Sequence, residues 1–326
     1  MYKLNSLNYA QASSLNISKD LSIQTLSSNI ELDKLKTELK NRFNFSSIHS
    51  FSFCKSGFLG LMLEIREDIA VSLGESEAII EAAKEYEKLG FGVSYIDILK
   101  DGNINYDTIK SCSNAYMFIS AYIIDTFVKI DLKKVKNNFN GKIISNISPT
   151  LDASFCNIAY FDIYKLSGYF THSVLLHNDV FEEQNISSID AIGLKIICNE
   201  TAKEKETITY KNSFIKELRK SLKDDIFFFV DNNLTLTNVV HFGLKGIKAR
   251  QVIRNLSLAN IFVTNGEGCS LGLSKPSRIL QEMGYCEIDS RQAFSLSFCQ
   301  NFNEEQTSFI VSKISKSYRQ IKALNG

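Results

Sequence analysis

Residues 261–298 read IFVTNGEGCSLGLSKPSRILQEMGYCEIDSRQAFSLSF, and this stretch decides the fold. A short β-rich run from Ile261 enters a loop in which Gly266 and Gly268 bracket Cys269. A helix is expected to start at Pro276, where the missing N–H costs nothing, and to stop at Gly284. An alternating strand, Gln292 to Phe298, follows. A loop-borne thiol between flexible glycines, with Lys275 and Arg278 nearby, can be a nucleophile or an inert loop residue. Arg291 lies two residues before Ala293 and is expected on the same face of that strand.

Outward from that stretch, the chain of 326 residues is long enough for two lobes around a sizeable core. Its 37 basic and 36 acidic residues leave a net charge of +1, which gives no field to attract nucleic acid or an anionic membrane. No apolar run reaches the length of a membrane span, and the start, MYKLNSLNYAQ, has no apolar signal core. Seven cysteines without paired or Cys/His ligand spacing point to reduced thiols, a cytoplasmic location and no metal centre.

Between these ends the pattern alternates strands and helices, which indicates an α/β protein with a mainly parallel sheet. Helical spacing covers 32–42 and Ser76–Leu89, the latter with Glu75 and Glu77 at its positive end and Gly90 as a stop. Strands are expected at Ile69–Leu73, Val93–Leu99, Tyr116–Ile123, Lys142–Ile147, Ile158–Tyr164 and Ser173–His177. Beyond about residue 205 a smaller αβ lobe begins, with helices at Phe214–Leu222 and Ala249–Leu258 and a last helix from near Asn303. The expected division is 13–204 for a large domain, with 1–12 and 205–326 forming the small one.

The loop cysteine, the Pro276-Ser277 helix start and the strand after it resemble the C-terminal part of the cysteine desulfurases, in the class V aminotransferase family. The resemblance implies a fold type I pyridoxal phosphate transferase architecture, with a persulfide-carrying thiol at Cys269. It also implies a set of cofactor residues, against which this chain departs repeatedly. The family turn Thr-Ser-Gly-Ala-Thr, which holds the phosphate, reads Lys55-Ser56-Gly57-Phe58-Leu59. The ring-stacking histidine of Glu-His-Pro-Ser is absent from Glu75-Ser76-Glu77. The amide of Asn-Asn-Glu-Thr-Gly is lost in Ile123-Ile124-Asp125-Thr126-Phe127. In Asp-x-x-Gln, the aspartate that pairs with the pyridine nitrogen is Asn146 and the glutamine is Pro149. The arginine of Arg-x-Ser, which receives the substrate carboxylate, is Ala293, with Arg291 either taking over that role or standing as a surface arginine, and the Gly-rich Arg-x-Gly-Thr loop is shortened to Glu182-Glu183-Gln184-Asn185.

The Schiff-base lysine is the remaining element. Matching Ser-Gly-His-Lys to Ser167-Gly168-Tyr169-Phe170 puts Phe170 at its place; moving Lys165 there gives up the Ser167-Gly168 match and shifts the preceding strand. Ser56, Gly57, Asn146 and Ser167 are therefore expected to be vestigial cofactor contacts. The expectation is a cysteine desulfurase-like protein that has lost pyridoxal phosphate catalysis and does not bind the cofactor. It would act as a homodimer, as a heterodimer with an active relative, or by docking a sulfur acceptor. The alternatives are an active desulfurase with Lys165 and Cys269 as its chemical groups, and a cofactor-free persulfide relay through Cys269.

Overall fold

The computed structural model describes residues 1–6, 30–182, 189–203, 210–266 and 275–325. In chain order the first elements are β1 (Tyr2–Lys3), α1 (Ile30–Phe43), β2 (Ser47–Phe51), α2 (Lys55–Ile65), β3 (Ile69–Ser72) and α3 (Glu77–Lys88). Next come β4 (Val93–Ile96), α4 (Tyr106–Ser111), β5 (Tyr116–Phe118), α5 (Leu132–Asn138), β6 (Lys142–Asn146), β7 (Ile158–Tyr160), α6 (Ile163–Ser167) and β8 (Ser173–His177). The C-terminal part holds α7 (Ala191–Ala202), α8 (Lys211–Leu222), β9 (Ile226–Phe227), β10 (Val239–Leu244), α9 (Ala249–Leu258), β11 (Ile261–Phe262) and β12 (Ala293–Ser297). Two short helices, Arg278–Glu282 and Glu287–Ser290, lie between β11 and β12, and a long helix, Glu304–Asn325, ends the chain.

Strands β2 to β8 form one seven-stranded sheet in the order β2-β8-β7-β6-β5-β3-β4. The β7-β6-β5-β3-β4 pairs are parallel, and only β8 runs against its neighbours. Such a sheet needs both faces covered, and the side-chain alternation supplies two apolar faces. Ile69, Val71, Phe118, Ile144 and Tyr160 pack with Phe58, Leu61 and Met62 of α2 and Ile79, Ala83 and Tyr86 of α3. On the opposite face Ile48, Ala159, Val174 and Leu176 meet Leu32, Leu35 and Leu39 of α1 and Leu194 and Ile197 of α7. Leu4, Phe214, Phe242, Val252, Phe294 and Ile314 share a separate core around the three-stranded sheet β12-β10-β9. A fourth cluster, with Ala70, Met117 and Ile143 against Val230, Val239, Leu280 and Ala293, joins the two sheets' surroundings.

The expected α/β architecture is present, with local differences that have physical causes. The strand expected over Ile158–Tyr164 ends at Tyr160, because Asp162 accepts a hydrogen bond from the Lys165 N–H and caps α6. The helix expected from Pro276 begins two residues later, at Arg278, with Ser277 as its cap, and Gly284 ends it in the left-handed region at φ 85°. A further helix, Glu287–Ser290, takes residues that read as a connection, and β12 starts at Ala293. Helices α4 and α7 escape the apolar periodicity, because α4 has only six residues and in α7 the polar residues other than Lys195 all fall in the last turn.

Gly57 has a steric requirement: a Cβ there would lie 1.8 Å from the Ser52 carbonyl oxygen, whereas one at Gly60 would meet nothing within 4 Å. Gly57→Ala is expected to cost about 3 kcal/mol, as overpacking against fixed backbone does. Gly60→Ala, in the interior of the same helix, is expected to stabilise by about 0.5–1 kcal/mol. Urea midpoints at unchanged m-value check both; equal effects would contradict this reading.

Candidate functional site

In an open parallel sheet the loops that can carry a site converge at the C-terminal ends of the strands. Here β3, β5, β6 and β7 all finish at one edge, and each delivers a polar group to it. Glu75 follows β3, Ser120 and Tyr122 follow β5, Asn146 ends β6, and Tyr160, Asp162 and Lys165 come from the end of β7 and from α6.

Glu75 is at the centre of this edge and is almost fully buried. Its carboxylate accepts hydrogen bonds from the Ser120 N–H, from Ser120 Oγ at 2.8 Å and from the Tyr160 hydroxyl at 3.3 Å. Burial penalises its charge and pushes its pKa up to about 7, against the pull of the Ser120 and Tyr160 bonds and of the Lys165 charge. Lys165 Nζ lies 3.5 Å from the Tyr122 hydroxyl and 3.6 Å from Asp162 Oδ2, with 14% of its side chain exposed. Burial likewise raises Tyr122, to about 12. Arg278 reaches across from the other sheet's surroundings and donates to the Leu73 and Glu75 carbonyl oxygens, and Ser277 Oγ donates to Asp125 Oδ2 at 2.7 Å.

Of the residues that the sequence singled out, Lys165 and Asn146 are in this edge and the others are not equally placed. Phe170 is 87% exposed and stacks on Tyr164, so the alignment that put it at the lysine's place does not bring it into the cluster. The amide oxygen of Asn146 takes both the Ser148 N–H and the Ser148 hydroxyl, at 3.0 and 2.7 Å. Ser167 Oγ donates to the Ile163 carbonyl within its own helix. Ser56 Oγ lies 3.2 Å from Cys54 Sγ at the start of α2, and that hydrogen bond lowers the thiol's pKa. Arg291 is not on the strand expected for it; it closes the helix Glu287–Ser290 and pairs with Glu287 at 2.7 Å. Cys269 and the residues Glu183 to Asn185 lie outside the described residues. In the sequence Glu75 stands only as an acidic residue at the positive end of a helix; its place after an apolar strand, beside the start of α3, is the signal that marks it.

This set can be tested against pyridoxal phosphate. Asn146 is uncharged and its acceptor is taken, the Leu59 side chain supplies no phosphate donor, and Ser76 stands where a stacking ring is called for. The residues present do not match the group's usual partners. Lys165 does supply an amine. Among the described residues no group of histidine, cysteine and carboxylate side chains could hold a metal ion, and no helix is long and apolar enough to cross a membrane.

No family model matches the chain. It is 21% identical over 245 residues to the cysteine desulfurase IscS of Dictyoglomus turgidum (strain DSM 6724 / Z-1310), covering 65% of this chain and 62% of that relative. The chain thus spans less than two thirds of that relative's length. A match to the cysteine desulfurase IscS of Rickettsia peacockii (strain Rustic), 19% identical, covers 80% of this chain and 71% of the relative. Among solved structures, a NifS-like protein from Rickettsia africae ESF-5 superposes with a TM-score of 0.74 at 13% identity, covering 99% of both chains. These matches support a relation to the cysteine desulfurases of the class V aminotransferase family, and the α/β fold with its mainly parallel sheet matches the pyridoxal phosphate fold type I of the NifS-like proteins.

The Glu75 carboxyl makes stability depend on pH in a defined direction. Its pKa is raised from 4.5 to about 7, so between these values the folded chain keeps a proton that the unfolded chain has lost. The contribution is fully present below pH 4.5 and is lost as the pH rises to about 7. Glu75→Gln removes this dependence, and the variant should gain roughly 3 kcal/mol on the native protein across that window. Urea unfolding at both ends of the range measures the difference; parallel profiles would refute the assignment.

Proposed function

We propose that this desulfurase-like chain has given up pyridoxal phosphate catalysis and works as a dimerising or partner-binding homologue. The observation that carries the reading is Asn146. Electron withdrawal by a bound pyridine ring requires a proton held on its nitrogen by a negative charge. At the end of β6 this chain offers a neutral amide whose oxygen is already bonded to Ser148. Were the cofactor to enter, this end of the site would supply no charge for that task. The fold and its lobes would then serve to pair with a second copy, with an active relative or with a sulfur-accepting protein in the cytoplasm. Leu4 packing with Phe214 and Phe294 supports the matching division of the chain, 13–204 against 1–12 with 205–326.

Lys165 favours a second reading, that of an active desulfurase with Cys269 as persulfide carrier, because the lysine stands among Tyr122, Asp162 and Glu75. Turnover separates the two. The purified protein supplied with pyridoxal phosphate and L-cysteine is expected to form no alanine or sulfide above a protein-free blank, and to run as a dimer in sedimentation. Alanine formation that disappears in Lys165→Ala would replace the first reading with the second.

A further inference from the structure

We propose that Tyr160 and Glu75 form an internal plug that separates Lys165 from the start of α2 and keeps a planar aldehyde cofactor out. This rests on the reading above in one respect, that the C-terminal edge of the sheet is where such a cofactor would lie.

The plug is a continuous line of contacts. Phe53 and Phe58 flank, in the chain, the turn Cys54–Gly57 that opens α2. The Tyr160 ring, buried at 0% exposure, lies 6.1 Å from the Phe53 ring and 5.6 Å from the Phe58 ring, and meets Phe51 edge-on at 6.0 Å. Such tilted and edge-to-face arrangements fill space tightly and hold the phenol in place. From there the hydroxyl donates to Glu75, and Glu75 continues the line to Ser120 at the end of β5. Arg278 fixes the same turn from outside by bonding the Leu73 and Glu75 carbonyls. Lys165 lies against Tyr122 and Asp162, and its charge acts on Glu75. A molecule with its phosphate at the start of α2 and its aldehyde at Lys165 Nζ would have to displace the phenol or the carboxyl. Both are bonded and buried, and moving either leaves a polar group unsatisfied.

Removing the plug should expose the amine to an aldehyde. The unprotonated Lys165 amine adds to the aldehyde carbon, the carbon–oxygen bond breaks as water leaves, and a carbon–nitrogen double bond remains with no change of oxidation state. Borohydride then reduces that bond to a stable secondary amine, which labels the lysine irreversibly.

The test compares the native protein, Tyr160→Phe, Tyr160→Ser and Glu75→Ser, each checked for folding by circular dichroism, incubated with pyridoxal phosphate and borohydride. Peptide mass analysis reads the occupancy of Lys165. Labelling at Lys165 is expected to be at least about tenfold higher in Tyr160→Ser and Glu75→Ser than in the native protein, with Tyr160→Phe staying low because its ring remains. Native protein labelled at Lys165 to the same extent as the opened variants overturns the plug, and if it also forms no alanine from cysteine the proposed function still stands. Folded variants that gain no label at Lys165 overturn the plug alone.

Discussion

A carboxyl group brought into a protein interior must be met by donors or lose its charge, and the top of the large sheet is built around that constraint. Glu75 reaches from the end of β3 across β5 and β6 to Tyr160 at the end of β7. Parallel pairing makes this possible, because it brings the last residues of four strands to one edge. The same alignment sets Tyr122, Asn146, Asp162 and Lys165 within one polar layer. The acidity of Glu75 follows from the balance: burial outweighs the two Ser120 bonds, the Tyr160 bond and the Lys165 charge.

That layer is also where the two sheets' surroundings are joined. Asp125, with a left-handed φ of 69°, is buried and accepts from Ser277, while its carbonyl accepts from Ser295 Oγ at 3.3 Å. Gly266 approaches the same carboxyl so closely that a Cβ would lie 2.6 Å from it. Together with Arg278, these bonds tie the segment 275–278 to the turns that follow β3 and β5. Removing one partner from a junction of this kind leaves a buried polar group short of a hydrogen bond, which costs more than the bond itself contributes.

Much of the fold was legible because the large-lobe helices and strands obey simple periods. Ile79, Ile80, Ala83 and Tyr86 recur at helical spacing, and Ile69 with Val71 alternates with Ala70. What failed were places where a polar side chain redirects the backbone. Asp162 stops β7 two residues after its last apolar pair and starts a helix, and Cys286 caps a short helix where a connection was expected. Such caps are local hydrogen bonds, and apolar periodicity does not register them. The site was less legible still, since Glu75 and Tyr160 matter through contacts 85 residues apart in the chain.

The lysine shows why word matching and geometry diverge. Ser167-Gly168 matches a family word, but the chemistry behind that word is a backbone turn: Gly168 sits at φ 78° as the left-handed stop of α6, and Ser167 bonds back into the helix. Any helix ending this way can use a small residue followed by glycine. Placement of an amine at the edge depends instead on its distance from the end of β7. Lys165 is five residues beyond Tyr160, on a one-turn helix whose cap, Asp162, also pairs with its ammonium. The capping bond fixes the helix and the ion pair fixes the side chain, so one aspartate holds the lysine at the sheet edge. Phe170, beyond the glycine stop, is turned outward by the same geometry, which leaves Lys165 as the described lysine in this cluster.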